Sequence, residues 1–333
     1  MSTTVDAATK MKAGPKVAVI TLVRRNAWTL GLLGILALLL IATKIIQPSY
    51  GPRGIQGLAI SVLPLAFAAV AQTCAVLARG IDLSIGSMMA LASVVSATMM
   101  EDRSEGFAIL VVVAVLLLGL AVGAVNGALV VYTRVPDIVV TLAMLFVWAG
   151  AALLVLNTPG GGSAEWLSTV TRGPLLTEWI PRAAVLLLVV VAVIWIPIRR
   201  SRLGLSIYAV GSDSLAAFRS GVSVAFTKIF SYMLAGLFSA LAGLTLTATT
   251  GIGTPVPGPY TLMSVAAVVL GGVSLAGGRG GVFGPVVAVV ILSLLRTDMT
   301  FLGVDTNLAT VAQGLILVGV VMVGSLIQIR REK

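Results

Sequence analysis

The stretch Gly80-Ile81-Asp82-Leu83-Ser84-Ile85-Gly86-Ser87 sets one acid between two glycines inside a long apolar region. Residues 54–78 before it and 83–100 after it hold no Asp, Glu, Lys or Arg. Two apolar segments joined by so short a polar break read as two membrane-spanning helices and their connection. The carboxylate at the break is either a helix cap at the membrane surface or part of a path through the bilayer. Both readings stand at this point.

The rest of the chain has the same character. Of 333 residues, 58% are hydrophobic and only 10% charged, and the mean hydropathy is +1.09. Soluble domains carry about 25% charged residues, so the composition defines an all-α, polytopic membrane protein. No polar stretch is long enough for a second domain. Residues 27–329 form one transmembrane domain between an N-terminal tail, 1–26, and a C-terminal tail, 330–333. A single cysteine, Cys74, excludes a disulfide framework, and the absence of histidine removes the commonest zinc ligand and general base. The net charge of +10 belongs to topology and the lipid surface rather than to nucleic acid, because basic residues of membrane proteins collect in cytoplasmic loops. Lys10, Lys12, Lys16, Arg24 and Arg25 precede an apolar run, but Lys44-Ile45-Ile46-Gln47-Pro48 offers no small-residue cleavage site. That run is expected to be an uncleaved first span.

At roughly 20 apolar residues per helix, spans are expected at 27–46, 55–78, 84–100, 107–131, 138–156, 182–198, 229–249, 262–276, 284–302 and 308–328. That makes about ten, with Gly-broken or reentrant segments among them. With the N-terminus inside, sixteen of the 22 basic residues fall on the cytoplasmic side and six on the other. The asymmetry favours an even number of spans with both termini cytoplasmic. The expected location is a membrane, crossed many times.

Two connections are long. The outer one, 157–181, begins Pro159-Gly160-Gly161-Gly162 after Asn157 and carries Trp166 and Trp179, residues suited to the interface. The inner one spans 199–228. Within it, Ser212-Asp213-Ser214-Leu215-Ala216-Ala217-Phe218-Arg219-Ser220-Gly221 reads as a short helix, with a cap among Ser212, Asp213 and Ser214 and Gly221 at the left-handed C′ position. Leu215 and Phe218, three apart, present an apolar stripe. Gly80–Gly86 is echoed by Gly272-Val273-Ser274-Leu275-Ala276-Gly277-Gly278, and paired Gly-broken segments mark the substrate path in many transporters.

No Gly-x-x-x-x-Gly-Lys-Ser/Thr loop occurs, and no histidine is available to activate a nucleophile, so the chain is not expected to be an enzyme. Gly277-Gly278-Arg279-Gly280-Gly281 serves tight packing or a reentrant turn. Pathway candidates are Asp82, Ser84, Gln72, Asn126, Thr141 and Ser274, with Asn157 and Gln313 beside them. For each, an interhelical hydrogen bond is the plainer use. Ion-coupled carriers hold carboxylates at mid-membrane, whereas Asp82, Asp137, Asp298 and Asp305 fall near span ends. Arg296 and Asp298, two apart, keep an ion-coupled secondary transporter open as an alternative.

At Gly80–Ser87 the chain resembles the permeases of ribose-type bacterial ABC sugar importers. Val135-Pro136-Asp137-Ile138-Val139-Val140-Thr141-Leu142 is similar to a further family segment. Arg202–Gly211 with Ala216–Val222 resembles the family's cytoplasmic loop, Ala266–Gly280 its Gly-rich block, and Leu302-Gly303-Val304 its late turn. Together these cover about residues 55–325. The chain departs at Thr261-Leu262-Met263 after Tyr260, at Ser212-Asp213-Ser214 and at Arg296-Thr297-Asp298.

The resemblance implies two cytoplasmic ATPase subunits, an external solute-binding protein and a second permease, either another copy or a paralogue. It implies that ATP and Mg2+ are bound by the partner subunits and no cofactor by this chain. It makes 212–221 the coupling helix that docks on the ATPase, where Ala217→Glu is expected to spoil the docking surface. Related permeases carry branched-chain amino acids or nucleosides, so the solute stays open beyond a monosaccharide or similar polar molecule.

Overall fold

The computed structural model describes residues 27–305 and, beyond them, 307–312, 314–315, 318–319 and 322. Among these the protein is all-helical, with only isolated β-bridges at Gly160–Gly253 and Pro174–Pro181. Its helices are α1 (Ala27–Ile46), α2 (Pro52–Leu77), α3 (Ile85–Met100), α4 (Glu105–Thr133), α5 (Asp137–Val155), α6 (Glu165–Thr171), α7 (Arg182–Arg200), α8 (Arg202–Ser212), α9 (Ser214–Arg219), α10 (Val224–Thr250), α11 (Tyr260–Leu270) and α12 (Phe283–Phe301). The tails 1–26 and 330–333, Gln313 and much of the expected span 308–328 lie outside the described residues.

Among the described residues seven helices are long and apolar enough to cross a membrane: α1, α2, α4, α5, α7, α10 and α12. Of the other three expected spans, 308–328 is not described in full and two are shorter. At 1.5 Å per residue, the 16-residue α3 is about 24 Å long and the 11-residue α11 about 16 Å, against a hydrocarbon core of about 30 Å. The span expected over 262–276 stops at Leu270, because the turn at Gly271 and Gly272 (φ +78°) closes it with Val273 N–H on the Val268 carbonyl, 3.1 Å. Both short helices adjoin a connection turned by glycine, 78–84 with Gly80 before α3 and the glycine-rich 271–282 after α11.

Helix α2 is the axis of the bundle. It starts with Pro52 at its first turn, where a missing N–H costs nothing, and is buried almost continuously from Val62 to Leu77. Helices α10, α12, α11 and α7 pack around it. Helix α10 is the second buried element, held on its other sides by α4 and α3. Its contact with α4 rests on Gly119, Gly123 and Gly127, four residues apart and so on one stripe of that helix. A methyl group on Gly123 would run into the Tyr232 carbonyl, and Gly236 of α10 meets the Gly119 carbonyl in the same way. Small residues that let backbones touch are how helices associate where lipid removes the hydrophobic drive. Leucines and valines of α1, α4, α5 and α7 point outward: Leu38, Leu110, Phe146, Leu154 and Val193 are all exposed, the surface a helix offers to acyl chains.

The two ends of the bundle differ. One carries α8, α9 and the 271–282 turn. The other carries the 157–181 connection, which is stapled down: Gly160 and Gly253 exchange backbone bonds, and Gly162 N–H reaches the Ala97 carbonyl. Glu105 accepts the N–H groups of Glu165 and Trp166 at the start of α6, and the Trp166 indole donates to the Glu105 carbonyl, 3.2 Å. Trp166 is thereby packed onto the bundle, while Trp179 remains exposed.

Candidate functional site

The connection between α2 and α3 is tied to four helices. Helix α2 ends with Gly80 N–H on the Ala75 carbonyl, 3.0 Å, and Arg79 at φ 62°, a left-handed exit of the Schellman type. Gly80 and Gly86 are required by close approach. A methyl group on Gly80 would stand 2.7 Å from the Tyr232 hydroxyl and 2.9 Å from Asp137 Oδ2; one on Gly86 would stand 2.6 Å from Thr261 Oγ1. Thr261 accepts the Gly86 N–H at 3.0 Å, joining α11 to the first turn of α3.

Between the glycines, Asp82 is fully buried. Its Oδ1 accepts both Ser84 N–H, 2.8 Å, and Ser84 Oγ–H, 2.6 Å. Ser84 Oγ in turn accepts from Asn126 Nδ2 of α4, 2.8 Å, and Asn126 Oδ1 accepts the Trp148 indole N–H of α5, 3.0 Å. Four groups thus form one donor chain from α5 through α4 to the linker. Thr141 Oγ1 receives Leu83 N–H at 3.1 Å and donates to backbone carbonyls of Ile81 and Asp137. With its amide oxygen facing Asp82 N–H, Gln72 of α2 brackets the Asp82 backbone at 3.3 and 2.8 Å. Asp82 Oδ2 has no partner.

Five of the six pathway candidates, Asp82, Ser84, Gln72, Asn126 and Thr141, therefore lie in one knot, each with no exposed surface. Ser274 does not join them. It sits in the 271–282 turn, where its N–H binds the Arg279 carbonyl, 3.1 Å. Asn157 lies in the outer connection, at the other end of the bundle.

A second polar group borders the knot. Asp137, opening α5, pairs with Lys228 Nζ of α10 at 3.1 Å, and its Oδ2 accepts the Tyr232 hydroxyl at 3.1 Å. Residues 91 and 95 apart in sequence give no spacing signal, and only the helix-start positions of Asp137 and Lys228 hinted at the pair.

The expected helix over 212–221 is resolved into two pieces. Asp213 ends α8 and caps α9, its Oδ1 accepting Leu215 N–H at 2.9 Å and Ala216 N–H at 3.0 Å. Ser212 belongs to α8, α9 spans Ser214–Arg219, and Gly221 has the left-handed φ of +83°. Leu215 and Phe218 are 58% and 67% exposed, whereas Ala217 is 5% exposed and faces the bundle. Behind this unit, a methyl group on Gly211 would strike the Leu77 carbonyl and the Gly278 amide, and Gly278 N–H donates to the same Leu77 carbonyl, 3.1 Å. Tyr208 Oη donates to the Gly280 carbonyl at 3.0 Å. Burial raises this phenol above its ordinary pKa, which keeps it a donor. The α8–α9 unit thus touches, backbone to backbone, both connections: the end of α2 that leads to Asp82 and the glycine-rich turn that follows α11.

Among the described residues no group of His, Cys, Asp and Glu side chains could hold a metal ion.

A lipid-facing bundle with glycine-broken short helices, an internal polar knot and a capped helix presenting an apolar face defines a transport permease. Residues 54–323 match the family model described as "Branched-chain amino acid transport system / permease component", and the chain belongs to that family. It is 34% identical over 264 residues to the ribose import permease protein RbsC of Escherichia coli (strain K12), covering 78% of this chain and 81% of the relative. It is 32% identical over 287 residues to the ribose import permease protein RbsC of Bacillus subtilis (strain 168), covering 85% and 88%. It is also 32% identical over 265 residues to the galactose/methyl galactoside import permease protein MglC of Haemophilus influenzae, covering 74% and 79%. No solved structure matches the chain.

Proposed function

We propose that this chain is the permease subunit of an ATP-binding cassette importer that moves a monosaccharide across the bacterial inner membrane, with both termini cytoplasmic. The observation that supports it most is similarity to ribose and galactose import permeases along 74% to 85% of the chain. Although the family's description names branched-chain amino acids, these relatives are named for sugars.

In this scheme an external binding protein delivers the solute, and two ATPase subunits bind ATP and Mg2+. A second permease, identical or paralogous, completes the passage, and this chain binds no cofactor of its own. The exposed faces of Leu215 and Phe218 are the docking surface for an ATPase subunit. Motion of α9 reaches the membrane through Gly211, Gly278 and the Leu77 carbonyl, which the unit touches directly. That contact moves the end of α2 and the 271–282 turn together, and the knot around Asp82 keeps the α2–α3 connection rigid enough to pass the motion to α3.

An ion-coupled carrier finds less support. Arg296 and Asp298 are two residues apart on α12, some 200° around the helix, and Asp298 is buried toward Thr43 of α1. They do not form an intramembrane pair.

The test is reconstitution of the chain with and without the ATPase subunits in proteoliposomes. Nucleotide hydrolysis and sugar uptake are expected only with the subunits present; robust turnover by the chain alone would overturn the assignment.

A further inference from the structure

At the end of the bundle opposite α8–α9, a cavity of about 600 Å³ opens between α2, α10, α11 and α12. Ser61, Tyr260, Ser293, Arg296, Thr297 and Thr300 are among the residues that line it. Three of its hydroxyls spend their protons on their own helices: Ser61 on the Leu58 carbonyl, Thr297 on Ser293 and Thr300 on Arg296, at 2.9 to 3.0 Å. Each keeps acceptor lone pairs free, so this wall accepts hydrogen bonds from the hydroxyl groups of a polyol.

Arg296 is of a different kind. It is a donor only and always charged. Among the described residues the one ion pair is Lys228–Asp137, at the other end of the bundle. Asp298, the nearest acid in sequence, is turned away. A guanidinium in a cavity walled by helices, with no carboxylate of the described residues paired with it, is matched by one from outside, because its fork binds two carboxylate oxygens at once.

Resting on the permease reading, we propose that this cavity receives the solute on its way in and that Arg296 selects a monosaccharide bearing a carboxylate, a sugar acid, over a neutral sugar. The hydroxyl wall takes the polyol portion and Arg296 the acid.

The test is ATP-driven uptake by the whole importer in proteoliposomes, with radiolabelled D-galacturonate and D-galactose as probes. Galacturonate uptake is expected to exceed galactose uptake about tenfold, as one charge-assisted bond allows. Arg296→Gln should erase most of that ratio and Arg296→Lys only part of it, with unfolding of each variant unchanged because the side chain is exposed. A preference for the neutral sugar, or a ratio unaltered in Arg296→Gln, would overturn the assignment of Arg296. If either sugar enters without nucleotide, driven by a proton or sodium gradient, the permease reading itself fails.

Discussion

Asp82 is the place where a structural residue and a transport residue make opposite demands, and its geometry favours structure, although not as the helix cap the sequence offered. Ser84 holds the N-cap position of α3, and Asp82 closes a turn two residues ahead of it. Its carboxylate is closed off from solvent and both accepted bonds come from Ser84, the residue that opens α3. Asp82→Ala removes those two bonds, worth about 1 kcal/mol each net. The loss is partly offset, since a buried charge with an unpaired Oδ2 also disappears. The variant should therefore unfold about 1–2 kcal/mol more easily. Asp82→Asn keeps an oxygen acceptor for both Ser84 donors and should stay within about 1 kcal/mol of the parent protein. Unfolding in detergent, followed by circular dichroism against denaturant, gives the stabilities; uptake per assembled molecule gives the function. Asp82→Asn, which keeps the turn, should retain uptake to within about twofold, and Asp82→Ala should lose uptake only as far as it loosens the turn to Ser84. Abolished uptake in Asp82→Asn, with an unchanged unfolding curve, would show that the carboxylate itself serves transport and would refute the structural role.

Other perturbations separate packing from coupling. Phe218→Glu places a charge on the exposed face of α9 and should abolish ATPase association and uptake while insertion and unfolding stay normal; co-purification of the ATPase subunit reads this. Ala217→Glu, expected from sequence to spoil the same surface, instead buries a carboxylate against the bundle and should lower stability by several kcal/mol. Gly123→Leu forces α4 from the Tyr232 carbonyl and should cost about 1–3 kcal/mol or more in detergent unfolding. Lys228→Met leaves Asp137 with only the Tyr232 hydroxyl and should cost about 1–2 kcal/mol, with Lys228→Met/Asp137→Asn recovering most of it in a double-mutant cycle.

Hydrophobicity alone made the membrane class and most of the long helices legible, because a span of 20 apolar residues has few other uses. It failed where glycine intervened. The sequence 262–276 reads as apolar throughout, yet Gly271 and Gly272 stop α11 at Leu270, since a short Gly-Gly pair leaves the hydropathy of the window unchanged. The capped helix after Asp213 was readable from cap chemistry and the Gly221 terminus. Which of its faces is buried was not, because Ala217 and Phe218 are both apolar and only the tertiary contact decides between them. Five polar candidates proved to be neighbours because polar side chains in an apolar helix must find partners. Ser274 was chosen on the internal echo, which marks a matching turn but not a shared site. The hydroxyl-lined cavity with Arg296 was missed, as its residues come from four helices with no common motif.

Gly80–Ser87 leads from α2 to α3, and Leu77 just before it is gripped by the α8–α9 unit. The most direct test of ATP-driven import through this chain is sugar uptake into proteoliposomes carrying the permease, ATPase subunits and binding protein. Nucleotide and ion gradients are to be varied independently. Uptake should need internal ATP and the binding protein, persist when proton and sodium gradients are collapsed, and vanish in Phe218→Glu. Uptake driven by either gradient without nucleotide would contradict it.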